Sequence, residues 1–217
     1  MSLDIERTRF NMVEQQVRPW DVIDLRVLDV LSRVRREDFV PADSRALAFA
    51  DAELPIGHGE RMMKPVLEGR LLQALAIAPS DEVLEIGTGS GYLTACLAQL
   101  ARDVLSIDRH ADFIAAAAPR LERLGLCNVR LEAANAFAYT PNRLFDAIAV
   151  TGAVAHVPEA FTRWLKPGGR MFVVRGDSPV QEAVCITRRG EHLQLESLFE
   201  TDIPYLRGAE PAPHFIL

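Results

Sequence analysis

The chain has 217 residues, of which 49% are hydrophobic and 25% are charged, and its formal net charge at pH 7 is −6. These values are typical of a globular protein and exclude a disordered or fibrous class. The acidic balance lacks the basic field that a nucleic-acid backbone selects for, so we expect no nucleic acid among the main partners. The length suits one compact domain.

The number of cysteines and the length of the apolar runs indicate in which cellular compartment the protein is expected. The three cysteines, Cys96, Cys127 and Cys185, are far apart and odd in number, which favours neither a disulfide framework nor a metal-binding pair. We therefore predict a reducing, cytoplasmic location and no metal site. No run of about 18 apolar residues and no apolar export signal occurs, so we expect no membrane partner. The sequence carries no signal for an oligomeric state.

The first 65 residues are expected to form a helical cap that ends in a loop. Apolar residues fall at helical spacing from Leu3 to Val34, and the break at Pro19 divides them into two helices. Residues 43–50 are predicted to form a short third helix. The loop LPIGHGERMMKP (54–65) follows, and its glycines permit close approach of the backbone to another part of the molecule.

From residue 66 to residue 217, short apolar runs alternate with amphipathic ones, which is typical of a parallel sheet with crossover helices. Two strands joined by a turn at Gly190 are expected to end the sheet antiparallel. The predicted fold class is therefore α/β: a doubly wound, Rossmann-like sheet with an N-terminal helical cap, in one compact domain. The predicted strands are 82–86, 103–107, 128–132, 145–150 and 170–174, and the predicted helices are 66–77, 91–101, 111–124 and 158–165.

The strongest local motif is VLEIGTGSGY (83–92), a strand followed by three alternating glycines at the start of a helix. Such a turn lets the backbone pack directly against a ligand. The spacing G-x-G-x-G differs from the pyrophosphate fingerprint G-x-G-x-x-G. In addition, the carboxylate of Glu85 before the glycines repels a diphosphate and suits an ammonium group.

An acidic residue, Asp108, ends the next predicted strand. An acid in that place accepts hydrogen bonds from ribose hydroxyls, although a helix N-cap is an alternative role for it. A nucleoside that carries an amino-acid tail and no phosphate is S-adenosylmethionine. The motif therefore favours S-adenosyl-L-methionine as the cofactor.

Taken together, these segments resemble the protein-L-isoaspartate O-methyltransferases, a family of class I methyltransferases. The glycine motif is common to class I methyltransferases, whereas REDFVP and LPIGHG make the resemblance specific. It implies S-adenosyl-L-methionine as cofactor and, as methyl acceptor, the carboxylate of isoaspartyl residues in damaged proteins. The similar blocks are VRREDFVP (34–41), LPIGHG (54–59), VLEIGTGSGY (83–92), SIDR (106–109), FDAIAVTGA (145–153) and LKPGGR (165–170).

The resemblance also implies a cofactor site. Asp108 would bind the ribose in place of the glutamate more usual there, and Asn135 and Ala136 match the Asp-Gly pair that faces the adenine in the family. An asparagine carbonyl can still pair with an amino group. The residues expected around the cofactor are Glu85, Gly87, Thr88, Gly89, Ser90, Gly91, Tyr92, Asp108, Arg109, Asn135, Ala136 and Thr151.

The sequence departs from the family on the substrate side. The family's Thr-Ile-Ser-Gln-Pro is Arg61-Met62-Met63-Lys64-Pro65 here, so Met63 takes the serine position and the hydroxyl is absent. The arginine of the family's Val-Arg-Phe-Val-Pro-Leu is also missing. Arg61 or Lys64 is expected to hold the carboxylate electrostatically instead. The other residues expected in the substrate loop are Gly57, His58, Gly59 and Met62.

Two further hypotheses stay open. A carboxylate is ionised at neutral pH and needs no base, but methionine makes the wall apolar and adaptable, which also suits a different small-molecule or protein acceptor. An amine, hydroxyl or thiol acceptor benefits from a base, and His58, His156 and Asp146 are the candidates, each with an ordinary structural explanation. The third hypothesis is a non-catalytic S-adenosylmethionine-binding sensor or scaffold.

Overall fold

The computed structural model describes residues 4–212 of the chain. A seven-stranded sheet packs against helices, and a separate two-stranded hairpin stands beside it. Leu3, where the first predicted helix begins, lies outside the described residues. Among the helices of residues 4–212, none has the length and apolar character needed to cross a bilayer.

The helices mostly follow the predicted pattern. The first predicted helix continues past its α-helical part through a π-helical turn and a 3-10 turn, and the predicted third helix is a 3-10 helix at Ala42–Leu47. The α-helices are Ile5–Asn11 (α1), Leu25–Arg33 (α2), Pro65–Leu75 (α3), Tyr92–Leu100 (α4), Ala111–Arg123 (α5) and Glu159–Arg163 (α6).

The predicted loop 54–65 contains a two-stranded hairpin, which the sequence pattern did not predict. Leu54 pairs with Met62 across two antiparallel strands. The turn between them has positive φ at both central residues, 54° at His58 and 80° at Gly59. Two left-handed residues in succession match the twist of a tight hairpin. The strands are Leu54–Gly57 (β1) and Glu60–Met62 (β2).

The central sheet confirms the predicted α/β class. Its strand order is β5-β4-β3-β6-β7-β8-β9, parallel as far as β7 and antiparallel at β8 and β9. The direction of winding reverses between β3 and β6, and open α/β sheets bind ligands beyond such a point. The strands are Glu82–Ile86 (β3), Asp103–Asp108 (β4), Val129–Ala133 (β5), Phe145–Val154 (β6), Leu165–Arg175 (β7), Gln181–Arg189 (β8) and His192–Thr201 (β9).

Successive residues of the central strands enter two apolar cores. Val83 packs with the helical cap and with residues of α3 and α4, whereas Leu84 packs on the other face with Phe161 and Trp164. Both strand residues are fully buried, as expected for a parallel strand that is covered on two sides. This burial fixes the end of β3, and therefore the position of the glycine turn.

Candidate active site

A cleft that is open to solvent lies at the carboxyl ends of the central strands. One wall is the β1–β2 hairpin, and another is the segment 203–207, which follows β9. A smaller space, here called the inner cavity, lies at the glycine turn and is lined by the buried Glu68 and Glu85. The two spaces share six lining residues: Ile56, Arg61, Met63, Gly87, Gly89 and Thr151.

The glycine turn is held against β6. Gly87 has a φ of 99°, a backbone conformation that residues other than glycine rarely adopt. The hydroxyl of Thr151 lies 2.9 Å from the carbonyl oxygens of Ile86 and Gly87 and can donate to either. A Cβ atom on Gly87 would overlap this hydroxyl oxygen. Thr151, predicted as a cofactor residue, therefore also supports the turn.

Glu85 is fully buried below the turn. Its Oε2 atom accepts hydrogen bonds from the hydroxyls of Thr94 and Ser106, each at 2.5 Å. Its Oε1 atom is buried and has no partner among the described residues. Burial, with a smaller contribution from the charge of Asp108, outweighs the two hydroxyl donors and raises the pKa of Glu85 to about 8. Because a buried carboxylate oxygen without a partner is costly, the inner cavity is suited to a cationic hydrogen-bond donor.

Asp108 lines the outer cleft and ties two backbone segments together. One carboxylate oxygen accepts from the Gly89 N–H at 2.9 Å, and the other accepts from the His110 N–H at 2.8 Å. The N-cap residue of α5 is His110 rather than Asp108. Each oxygen retains a lone pair, so Asp108 can hold the glycine turn and still accept from a hydroxyl in the cleft.

The predicted adenine-facing pair, Asn135 and Ala136, also lines the cleft. The Asn135 side-chain oxygen accepts from the Phe137 N–H at 3.1 Å and caps a short 3-10 helix. This carbonyl is therefore already engaged, which the sequence did not reveal. Phe137, 41% exposed, lines the same end of the cleft and was missed by the motif comparison.

The other predicted cofactor residues divide into three groups. Thr88 and Ser90 line the inner cavity, and the Thr88 hydroxyl lies 2.6 Å from that of Ser106. Arg109 lines the outer cleft and donates to the Arg207 carbonyl. Gly91 and Tyr92 line neither space in the described chain. They start α4, and Tyr92 is buried beneath the turn.

Met63, at the family's serine position, and its neighbour Arg61 lie at the junction of the two spaces. Met63, 7% exposed, and the exposed Arg61 line both spaces, and the buried Met62 lines the inner one. Lys64 is instead the N-cap residue of α3 and, among residues 4–212, lines neither space. Of the two cations predicted to hold the acceptor carboxylate, Arg61 and Lys64, it is therefore Arg61 that lines the cleft.

The tip of the hairpin contacts α5. His58 Nε2 lies 2.7 Å from Asp112 Oδ2, and the His58 ring stacks on that of His110 with centroids 4.2 Å apart. Arg207, from the segment 203–207, also contacts the hairpin and donates to Glu60 at 3.0 Å and to the His58 carbonyl. In the described chain, Gly57, His58 and Gly59 do not line the cleft themselves.

The side chains of His58, His110 and Asp112 also form a group whose potential metal ligands lie within 4.8 Å of one another. The sequence predicted no metal site and gave no hint of this group, because its members come from two distant segments. The imidazole planes are only 13° apart, so their in-plane lone pairs run side by side rather than toward one point. We therefore assign the group to hairpin contacts.

Like His58, the other two candidate bases, Asp146 and His156, do not line the cleft in the described chain. Asp146 is at the amino end of β6, where it accepts from the Glu82 N–H and from Lys166, each within 2.8 Å. Burial opposes its ionisation, but these donors outweigh burial and lower its pKa. His156 is exposed in the turn after β6 and lines neither space in the described chain.

The outer cleft contains charged residues that the motif comparison missed. Glu53 precedes β1 and lines the cleft, and Arg207 of the segment 203–207 also lines it. Burial raises the pKa of Glu53, although Lys64 and Arg61 oppose this effect. No spacing rule links these residues, because segment 203–207 meets the hairpin only through the tertiary fold.

Comparisons with known proteins agree with the resemblance seen in the sequence. The family model described as protein-L-isoaspartate(D-aspartate) O-methyltransferase matches residues 8–203. The protein-L-isoaspartate O-methyltransferase of Methylorubrum populi is 39% identical over 210 residues, which cover 95% of this chain and 99% of that protein. That of Methylorubrum extorquens is 40% identical over 212 residues, covering 96% and 92%.

The fold has a close counterpart among solved structures. A Plasmodium falciparum protein assigned as a protein-L-isoaspartate O-methyltransferase, in complex with S-adenosyl-L-homocysteine, matches with a TM-score of 0.80. The match covers 91% of this chain and 97% of that one at 20% identity, which supports the fold alone. The family model and the Methylorubrum relatives carry the assignment further: the chain belongs to the protein-L-isoaspartate O-methyltransferase family.

Proposed function

We propose that the chain transfers the methyl group of S-adenosyl-L-methionine to the carboxylate of isoaspartyl residues in damaged proteins. The observation that carries this proposal is the junction between the two spaces. Three residues of the hairpin segment, Ile56, Arg61 and Met63, face three that hold the glycine turn, Gly87, Gly89 and Thr151. An acceptor bound along the hairpin is thereby brought against a ligand held by the turn.

The inner cavity suits the amino-acid end of the cofactor. The unpaired Oε1 atom of Glu85 gains a hydrogen-bond donor if an ammonium group enters. At the other end, Asp108 can accept from ribose hydroxyls, and Phe137 and Ala136 offer an apolar surface for the base. When bound, S-adenosyl-L-methionine supplies an electrophilic methyl group on a sulfonium.

The chain's own residues have a limited task in this reaction. A carboxylate acceptor with an ordinary pKa near 4 is already a nucleophile, so no general base is required. Alignment and exclusion of water then dominate the rate. The buried Met63 keeps water from the junction, and Arg61 can attract the acceptor carboxylate.

The test is methyl transfer from labelled cofactor to an isoaspartyl peptide. The expected product is a base-labile ester that releases labelled methanol, while the matched aspartyl peptide stays unlabelled. If the cofactor binds but neither peptide is methylated, the acceptor assignment is wrong. If no cofactor binding is found by calorimetry, the enzyme assignment is wrong as well.

A second candidate is a methyltransferase of the same fold with a different acceptor. Two observations favour it: Met63 lacks the hydroxyl of the family's serine, and Glu53 places a carboxylate beside the position expected for an anionic acceptor. Labelling of a small-molecule extract in the absence of isoaspartyl methylation would support this candidate. Tight cofactor binding without any labelled product would favour the sensor or scaffold.

The proposed acceptor determines the partner, and the cysteines bear on the location. The partner is a protein or peptide that presents a modified aspartyl residue. We keep the cytoplasm as the proposed location, because the three cysteines are free thiols in the structure.

A further inference from the structure

Arg36 is a fully buried arginine that the proposed reaction does not use. It is the first residue of a 3-10 helix, Arg36–Asp38, in the N-terminal cap. Its exposed fraction is 0%, and it is among the largest fully buried side chains of the described chain. A buried guanidinium is retained at a cost unless its donors and its charge are satisfied.

The donors of Arg36 converge on the two ends of one loop. Nε donates to the Ala48 carbonyl at 2.9 Å, and Nη2 donates to the Met63 carbonyl at 2.6 Å. Between Ala48 and Met63 lies the segment 49–62, which contains the whole β1–β2 hairpin. One rigid group therefore joins both ends of the loop that faces the acceptor.

The same side chain connects this loop to the cofactor side. Nη1 pairs with the buried Glu68 of α3, and Glu68 lines the inner cavity. The guanidinium lies over the ring of Tyr92, 4.8 Å from its centroid, and Tyr92 begins α4 directly after the glycine turn. Arg36 is thus bonded to the acceptor loop and packed against the helix that follows the cofactor turn.

We propose that Arg36 is a positioning residue that sets the distance between the acceptor hairpin and the glycine turn. This inference rests on the proposed function for its effect on acceptor kinetics, but not for its effect on the loop. A lysine cannot replace the fixed fork of donors, because one ammonium group does not span two carbonyls and a carboxylate in the same geometry. A hairpin that is no longer held at both ends must be ordered again when the acceptor binds, and this ordering cost weakens acceptor binding and raises the KM.

The test compares Arg36→Lys with Arg9→Lys. Arg9 is a matched control, because it pairs with the buried Glu37 in the same cap at 2.5 Å and donates to the Ser32 carbonyl, without touching the hairpin. Three quantities are measured in each variant: the KM for the isoaspartyl peptide, the dissociation constant of S-adenosyl-L-homocysteine, and hydrogen exchange of the amides in 49–63.

Arg36→Lys is expected to raise the KM at least about tenfold and to speed exchange in 49–63. The dissociation constant is expected to change less than about twofold, because the bonds of Glu85 and Asp108 are intact and the lysine can still pair with Glu68. Arg9→Lys is expected to lower stability and leave all three quantities near wild type. Equal KM and equal exchange in the two variants would overturn the proposal. An inactive wild type overturns the proposed function instead, and exchange in 49–63 still tests Arg36.

Arg36→Met with Glu68→Gln provides a second test if the lysine variant does not fold. This pair removes the buried charges together, which buried ion pairs often tolerate, and it removes both carbonyl clamps. Compared with Glu68→Gln alone, the double variant is expected to show the same rise in KM and the same faster exchange. Identical values in the single and double variants would contradict the positioning role.

Discussion

The two sides of the cleft are built in different ways. On the cofactor side, Glu85 and Asp108 sit at the ends of buried parallel strands and are fixed by short hydrogen bonds from neighbouring residues. On the acceptor side, Met63 and Arg61 belong to the end of a two-stranded hairpin outside the main sheet. Substitutions on the first side should therefore affect cofactor binding, and those on the second should affect acceptor kinetics.

Gly87→Ala is expected to have the largest effect. The methyl group would overlap the Thr151 hydroxyl at a backbone conformation that alanine rarely adopts, so the turn must move and cofactor affinity falls by about 10²-fold or more. Calorimetric titration with S-adenosyl-L-homocysteine measures this loss. Gly125→Ala is the control, because Gly125 also has a positive φ, 68°, but has open space around it. Equal affinity in the two variants would contradict the assignment of the turn.

Glu85→Gln is expected to weaken cofactor binding by about 10- to 100-fold, since it replaces a charge-assisted hydrogen bond by a neutral one. Binding of 5′-methylthioadenosine, which lacks the amino-acid tail, is expected to change little. The contrast between the two ligands is measured by calorimetry. Glu82→Gln is a control on the same strand, where Glu82 pairs with Lys166 at the opposite end. If both ligands lost a similar amount of affinity, the ammonium group of the cofactor would not bind at Glu85.

The pH dependence of cofactor affinity tests whether Glu85 binds the ammonium group of the cofactor. Because burial raises its pKa to about 8 in the free protein, the cation must displace a proton at lower pH, and affinity falls by up to about tenfold per unit below pH 8. The cofactor's own α-amino group also loses its proton as the pH rises, so affinity falls again at higher pH. Glu85→Gln is expected to lose the acidic limb of this profile. Parallel profiles in wild type and variant would contradict the assignment.

Met63→Ser is expected to have the smallest effect and tests the acceptor side. Restoring a hydroxyl next to the acceptor should raise kcat/KM for the isoaspartyl peptide by a few-fold, worth about one neutral hydrogen bond, without changing cofactor affinity. Met63→Ala controls for the lost volume, because it removes the side chain without adding a donor. An equal response in the serine and alanine variants would show that the position does not orient the carboxylate.

The contrast between the cofactor side and the acceptor side also explains how much of the structure the sequence predicts. Strand β3 was predicted with its observed bounds, 82–86, because a short apolar run before a glycine turn is a local signal. The hairpin was missed, because β1 and β2 have only four and three residues and the left-handed conformation of His58 has no local signal. The contacts of Arg36 and Arg207 were missed for the same reason, since their partners are distant in sequence.

Methyl transfer itself tests the central claim most directly. Purified protein is incubated with labelled S-adenosyl-L-methionine and with two peptides of equal composition, one isoaspartyl and one aspartyl, and base-released methanol is counted. We predict labelled methanol from the isoaspartyl peptide only, at a rate proportional to protein concentration. Binding of the cofactor together with equal or absent labelling of the two peptides would contradict isoaspartyl methylation.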